Sequence, residues 1–543
     1  MTVTASWMLP ALLFLLAFEP RHPTLPLAGF QVTLLEAVGL LVIPTLVLVG
    51  LPRLRELARR PPPALLLLTG YAGVHVLAAL LAEDNRPLAI KFAWRMVAMA
   101  LFAWAVAACD GPARRRALQA LVASGVIVAL LAIGESAGVR SLDGLLGHFR
   151  ETPFNVGGSR RATAGSEYPN LAAAFLMYAL LAWSGLSQGV PAWLGLGIPA
   201  LLSAGMLFTY SRGALIAAAT GLLASLVASR RRPALARGPL TVLIVLLVAS
   251  SVFAASGEVF RLRLESEGSE AWYAARYEPA ETSYALRPGE ARVLRVRVTN
   301  VGLKTWSRRE AFHLSYHWYD RDTKTLTDGG RTELPEDVPK GASVLLDAAV
   351  VAPERPGRYL LIWDMVHEHT TWFSGQGVRA FAVYVLVGQP GGTALLATEA
   401  PETELGWRPG RRELWRLAVA MWRAHPVLGV GPDNFRWLYG KYAGRAFWDT
   451  RVFANNTLLE AAATTGSLGA LALALTLAAA LGAAWRALAT APQTSAPAAL
   501  ALLGLSVGLV AHGVVDYVLA FTGHYLFMGF LVGSISARDP DLG

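Results

Sequence analysis

Long uncharged runs dominate this chain, and one stretch of short alternating segments interrupts them. A run of about 20 apolar residues is long enough to cross a hydrocarbon core as a helix, which satisfies its own backbone polar groups in lipid. The runs predict roughly twelve spans. Those before residue 257 lie at about 5–18, 31–51, 63–82, 88–108, 117–137, 170–187, 191–209, 212–229 and 239–256, and those near the end at about 456–484, 497–518 and 521–537. Residues 1–18 carry no basic start and no clear small-residue cleavage site, so they read as a span that stays rather than a leader.

Between these groups the period changes from helical to alternating. Segments at 293–298, 312–319, 343–350, 359–363 and 381–387 alternate apolar with polar residues. Pro288-Gly289, Asp328-Gly329-Gly330 and Pro356-Gly357 punctuate them as turns. This spacing predicts a β-sandwich over 258–388, of an immunoglobulin-like or sugar-binding kind. Gln389-Pro390-Gly391-Gly392 then opens a linker. Leu414, Trp415, Leu417, Ala418, Met421 and Trp422 fall on one helical face, flanked by Arg412, Arg416 and Arg423. That pattern predicts an amphipathic helix suited to a membrane surface. The expected domains are a membrane domain at 1–257, the sandwich at 258–388, linker and surface helix at 389–455, and a second membrane domain at 456–543.

Composition agrees with lipid: 54% of the 543 residues are hydrophobic and 16% are charged. The net charge of +10 would suit nucleic acid, but its distribution follows membrane topology. With a cytoplasmic N-terminus, the inside loops hold Arg53, Arg55, Arg59 and Arg60, then Arg114 to Arg116, then Arg230 to Arg232 and Arg237. The short outside loops hold Glu19, Glu83 and Asp84. The positive-inside rule then puts the 138–169 loop, the turn before Arg212 and residues 257–455 outside a bacterial inner membrane. The expected fold class is mainly α: a polytopic transmembrane helical bundle with an inserted extracytoplasmic β-sandwich, and no nucleic-acid partner. The single cysteine, Cys109, excludes an intramolecular disulfide and a cysteine metal cluster.

Several polar residues stand out against this apolar background. Arg212 lies between two spans and is either an arginine reaching to the interface or an anion clamp at a cavity mouth. Arg411 opens the amphipathic helix, as a cation for lipid headgroups or as a second phosphate ligand. Arg160 and Arg161 precede Ala164-Gly165-Ser166-Glu167-Tyr168-Pro169-Asn170 on the same side. External arginines converging near the bilayer would suit a lipid diphosphate. His425-Pro426 leads to a glycine pair, Gly429 and Gly431, best read as a tight turn. Asn455, Asn456 and Glu460 begin the tenth span, as caps or as site residues. His512 and Asp516 lie four apart, as a packing hydrogen bond or as cavity lining. In the sandwich, Phe312, Leu314, Tyr316 and Trp318 are assigned to the core, and His313, Ser315, His317 and Tyr319 to a face open to solvent. His317, Tyr319 and Trp372 are the candidate glycan contacts there. No metal-ligand cluster and no cofactor motif is present.

Taken in order, these motifs resemble the O-antigen ligase and O-antigen polymerase superfamily. The matching pieces are Pro169-Asn170, Ser211-Arg212-Gly213-Ala214, Arg411 four residues before Trp415, and His425-Pro426 through Gly429-Val430-Gly431 to Asn434-Phe435. Asn456-Thr457-Leu458-Leu459-Glu460 with Gly466 and Gly469, then His512 with Asp516, complete the set. The resemblance covers roughly residues 30 to 535. It implies a metal-independent glycan transferase fed by a polyprenyl-diphosphate-linked glycan, with a lipid, glycan or protein acceptor outside the membrane. Arg212 and Arg411, joined by Arg161, would hold the diphosphate. Asn170, Asn456, His512 and Asp516 would shape the cavity. The family usually has His-Asn where this chain has Asn455-Asn456, and Thr465 stands where a glutamate is often found. Catalytic work therefore falls to Asn455, with Glu460 or His425 as substitute bases. A polymerase of the same superfamily and a non-catalytic glycan-binding or assembly protein are the rival readings.

Overall fold

A computed structural model describes residues 5–27, 30–266, 271–281, 283–376, 381–388, 409–445 and 448–537. Contacts divide the chain into two units, one of Met1–Phe154, Arg160–Ser256 and Arg411–Gly543, the other of Asn155–Ser159 and Gly257–Gly410.

The first unit is helical. It runs α1 (Ala5–Leu15), a small hairpin β1 (Leu25–Leu27) and β2 (Phe30–Val32), α2 (Leu34–Val49), α3 (Leu51–Arg59), α4 (Pro63–Leu80), α5 (Arg86–Ala107), α6 (Gly111–Ser136) and α7 (Ser141–Leu146). A second hairpin, β3 (Phe154–Val156) and β4 (Ser159–Arg161), whose residues Asn155–Ser159 are assigned to the second unit, leads to α8 (Pro169–Leu186), α9 (Ala192–Phe208), α10 (Arg212–Ala228) and α11 (Pro233–Ser256). Each of the expected apolar stretches contains a helix. Among the described residues, eight helices are long and apolar enough to cross a membrane, or nine if α2 and α3, bent by 73°, count as one. The expected count of about twelve is not reached by length, because α1, α9 and α17 (Thr522–Ser536) have 11, 17 and 15 residues.

Packing around α8 explains its composition. Pro169 and every residue from Leu171 to Gly185 are buried, as expected of a helix that is apolar all round. Alanines at 172, 173, 174, 179 and 182 let neighbouring backbones approach closely, which replaces the hydrophobic driving force that lipid cannot supply.

The second unit starts with α12 (Glu258–Glu265), a helix where strands were expected. One sheet has the order β10-β7-β5, built from β5 (Ala275–Pro279), β7 (Ala291–Asn300) and β10 (Ser343–Val351). Strict alternation along β10 places Val344, Leu346, Ala348 and Val350 inward. The other sheet has the order β6-β13-β11-β8-β9. Its strands are β6 (Ser283–Leu286), β8 (Phe312–Asp320), β9 (Leu326–Glu333), β11 (Gly357–His367) and β13 (Phe381–Val387), with β12 (Thr371–Trp372) paired to β11.

Two sequence expectations fail here for visible reasons. Asp328-Gly329-Gly330 is not a turn but the middle of β9, because the Tyr316 ring packs where a Gly329 side chain would stand, 2.1 Å from its Cβ position. Nor is the second face of β8 open to solvent. Ser315 is buried with Arg331 and the Gly330 carbonyl of β9 bonded to its hydroxyl, His317 is buried against Trp372 of β12, and His313 and Tyr319 are half-buried.

The first unit resumes with α13 (Arg411–Ala424), α14 (Phe435–Tyr442), α15 (Thr457–Thr490), α16 (Ala496–Gly513) and α17. The linker beginning at Gln389 lies outside the described residues. Most of the apolar stripe of α13 is covered by protein: Leu414, Leu417, Ala418 and Met421 are buried, Trp415 is half-buried and Trp422 is exposed.

Candidate functional site

The α16–α17 connection gathers most of the residues singled out in the sequence. Asp516 lies in it, just past the end of α16. Around it stand the last residue of β4 (Arg161), the second of α8 (Asn170), the first of α10 (Arg212), the first of α13 (Arg411) and the residue before α15 (Asn456).

A hydrogen-bonded chain orders this cluster. Arg161 donates Nε–H to the Thr209 carbonyl at 2.9 Å and an Nη2–H to Asn170 Oδ1 at 2.9 Å. Asn170 donates Nδ2–H to Asp516 Oδ2 at 2.8 Å, and Asp516 Oδ1 accepts the Tyr517 N–H at 2.8 Å. Arg411 Nε–H reaches the Val515 carbonyl at 3.0 Å. Asn456 caps α15 by accepting the Leu459 N–H at 2.9 Å and donates to the Val514 carbonyl at 2.8 Å. Thr457 adds a bond to the Asp516 carbonyl at 3.1 Å. Residues 514–516 are thus pinned from four sides.

Local sequence explains these placements. Pro169 at the first position of α8 has the φ a helix start needs and no N–H to waste. Tyr210 takes φ 54°, an uncommon conformation for a bulky residue. The tight turn it makes presents the Thr209 carbonyl, left over at the end of α9, to Arg161. Gly213 is required by close approach, because its Cβ position is 2.9 Å from Val515 Cγ2 and 3.9 Å from the His512 ring.

The electrostatics are lopsided. Burial, opposed by Asp516 and reinforced by repulsion from Arg411 and Arg212, pushes the Arg161 guanidinium down to about 10. Arg212 and Arg411 each open a helix, where the macrodipole already favours an anion and disfavours a cation. Cations are thus held together at positions where the helix start already disfavours positive charge. His512 is fully buried, its Nε2 is 3.9 Å from Asp516 Oδ2, and neither ring nitrogen has a hydrogen-bond partner among the described residues.

Among the described residues, the other candidates are not bonded to residues 514–516. Asn455 has φ 51° and its carbonyl lies 3.5 Å from Trp415 Nε1. Glu460 is buried and accepts the Ala454 N–H at 2.7 Å, bracing the loop before α15. His425 is exposed directly after α13, whose 14 residues make it about 21 Å long. It therefore stands at the opposite end of that helix from Arg411. In the sheet-containing unit, His317 and Trp372 meet with ring centroids 4.3 Å apart, while Tyr319 packs against the apolar group of Leu360, Ile362 and Ala382. Among the described residues, no group of three or more His, Cys, Asp or Glu side chains is placed to hold a metal ion.

The 425–431 segment has a structural task that sequence reading reduced to a turn. Gly466 breaks α15 with φ 65° and ψ −165°, which only glycine adopts at little cost. The break frees backbone groups on both sides. The segment satisfies them: the Val430 and Gly431 N–H groups donate to the Ala463 and Thr464 carbonyls at 2.9 and 3.0 Å, and the Ser467 N–H donates to the Pro426 carbonyl at 2.8 Å.

Residues 360–474 match the family model described as O-Antigen ligase. This match supports membership of the O-antigen ligase superfamily. The matched stretch includes Arg411, His425, Asn455, Asn456 and Glu460, while Arg161, Arg212 and Asp516 join it only through the fold. Family and apolar helices together support a transmembrane protein of polysaccharide biosynthesis. O-antigen ligase relatives act on glycans linked to lipid carriers. No curated protein matches the chain.

Proposed function

We propose that this protein is an O-antigen ligase-type glycosyltransferase that moves a glycan from a polyprenyl-diphosphate carrier to an acceptor on the outer side of the inner membrane. The observation that carries the reading is the cation excess around Arg161, whose charged neighbours among the described residues are Asp516, Arg411 and Arg212. Guanidinium forks match phosphate oxygens in pairs.

In this mechanism the acceptor oxygen attacks the anomeric carbon of the donor sugar. The bond from that carbon to the diphosphate oxygen breaks, and its electron pair leaves with the carrier. Arginines aimed at the oxygens where charge develops lower this barrier without reorganising. The acceptor proton needs a base. Asn455 cannot take it, Glu460 is committed to the Ala454 N–H, and His425 is a helix length away. We assign the proton to the His512–Asp516 pair, in which Asp516 acts on the charge of Arg161 and His512 feels that of Arg411.

The charge distribution along α10 supports this side of the membrane. It opens at Arg212 and runs 17 residues before Arg230, Arg231 and Arg232, a rise of about 25 Å. Basic loops stay in the cytoplasm, which leaves Arg212 and the sheet-containing insert, read as a β-sandwich, outside.

Asn455, in place of the family's usual histidine, favours one second reading: a glycan-binding protein without turnover. The test is a reconstituted assay with a lipid-diphosphate glycan and a panel of acceptors, following free carrier diphosphate. The wild-type protein is expected to release it. Release by Asn455→His but not by the wild type would establish the second reading instead.

A further inference from the structure

A half-open cavity in the helical unit lies next to the arginine cluster but shares none of its arginines. Its volume is about 220 Å³. That is smaller than the roughly 300–1,000 Å³ of pockets for drug-sized ligands, so it suits one small ring rather than a long chain.

Its chemistry differs from that of the cluster. Arg436 gives both arms to Asp433, at 2.8 and 2.6 Å. Arg95 is paired with Glu36 at 2.7 Å, and Arg451 grips Asp449 through two bonds of 2.9 Å. Guanidiniums already matched to carboxylates have little to gain from a phosphate, yet they still offer ordered donors and acceptors side by side. Tyr168, Phe453 and Phe521 supply an apolar wall, with ring centroids 5.7 Å apart for Tyr168–Phe521 and 6.2 Å for Phe453–Phe521. His524 also lines the cavity, and its buried Nε2 has no hydrogen-bond partner among the described residues. Neutral hydroxyls flanked by an aromatic wall are what such a lining satisfies.

Chain connectivity fixes how near the two sites are. Tyr168 precedes Asn170 by two residues, a backbone reach of about 7 Å at most. Phe521 follows Asp516 in the same connection, and Phe453 precedes Asn456 in the loop before α15. Each wall residue therefore shares a short segment with a residue of the arginine cluster.

We infer that this cavity is a subsite for one uncharged sugar ring, the ring joined to the diphosphate that the arginines hold; this rests on the function proposed above. The test uses the full chain in lipid nanodiscs and four probes: bare polyprenyl diphosphate, the same carrier bearing one neutral hexose, the carrier bearing one hexuronic acid, and a phosphate-free methyl hexoside. The hexose should tighten carrier binding several-fold and the hexuronic acid should not. Phe453→Ala should erase the gain from hexose while the bare carrier still binds as to the wild type. The methyl hexoside should bind the wild type weakly and Phe453→Ala not at all. Equal binding of bare and hexose-bearing carrier, preference for the hexuronic acid, or equal weakening of both carriers by Phe453→Ala would each overturn the inference. Failure of every carrier with retained, Phe453-dependent hexoside binding would sink the proposed transferase and leave the sugar subsite standing.

Discussion

Among the described residues, Arg161 at the α16–α17 connection has two guanidiniums and one carboxylate for charged neighbours, whereas on β8 a single imidazole, His317, lies between two carboxylates. His317 Nδ1 lies 2.8 Å from Asp328 and its Nε2 lies 3.5 Å from Asp364. Asp364 also accepts from the Ser374 hydroxyl at 2.5 Å and from the Tyr277 hydroxyl at 3.5 Å. The second arrangement is self-sufficient and needs no ligand to be stable. The first keeps like charges together at helix starts that repel them, a repulsion that the proposed diphosphate would relieve. Burial of charge alone is therefore a poor guide to function; the surplus of one sign is the better guide.

The largest effect expected from this contrast is on turnover. Arg212→Ala and Arg411→Ala should each slow carrier release by about 10²–10³-fold, the usual cost of losing one pre-set charge donor. Lysine should restore little, because it lacks the fork. Rates within a few-fold of wild type for both alanine variants would erase the distinction between the two regions.

A carboxylate comparison comes next. Asp364→Ala strips His317 and Tyr277 of a buried partner, so it should destabilise the sheet-containing unit by about 3–5 kcal/mol and leave carrier binding intact. Asp516→Asn should do the reverse, tightening binding of the bare carrier as the cation excess grows while transfer slows. Thermal melting and carrier titration of both full-length variants would show whether the roles are separate or exchanged.

Smaller still is the pH response of the sheet-containing unit. Burial pushes the His317 imidazolium down, but hydrogen bonds and attraction from Asp364 and Asp328 outweigh it, so its net shift is upward from 6.5. Its stabilising contribution is full below 6.5 and fades as pH rises through the higher folded-state value. His367 moves the other way, lowered to about 4 by burial and by Lys304. Stability from keeping it neutral is present above 6.5 and is lost as pH falls from there toward 4. The melting temperature of the unit should therefore peak near 6.5. His317→Gln should remove the decline on the alkaline side only, and a symmetric loss of both slopes would contradict the assignment.

The helices were legible because about 20 apolar residues in a row allow few other structures. Their ends were less so. The 497–518 span was drawn through Asp516, yet α16 stops at Gly513, since residues 514–516 give their backbone carbonyls to Asn456, Arg411 and Thr457. Asp516 was paired by spacing with His512, but its closest side-chain bond is to Asn170, 346 positions away. No local pattern encodes such a contact. The strands at 312–319 and 343–350 were readable from alternation, and β9 was not, because Gly329 and Gly330 signal a turn in any short window. The burial of His317 was hidden because it depends on Trp372 from another part of the chain.

The central claim is that Arg161, Arg212 and Arg411 together hold a lipid-linked diphosphate. Equilibrium binding of polyprenyl diphosphate to the full chain in nanodiscs, compared with the variant in which all three are changed to glutamine, tests it most directly. Saturable binding that weakens with salt in the wild type, and its disappearance in the triple variant with an unchanged melting temperature, is the predicted result. Undiminished binding by the triple variant would contradict the account.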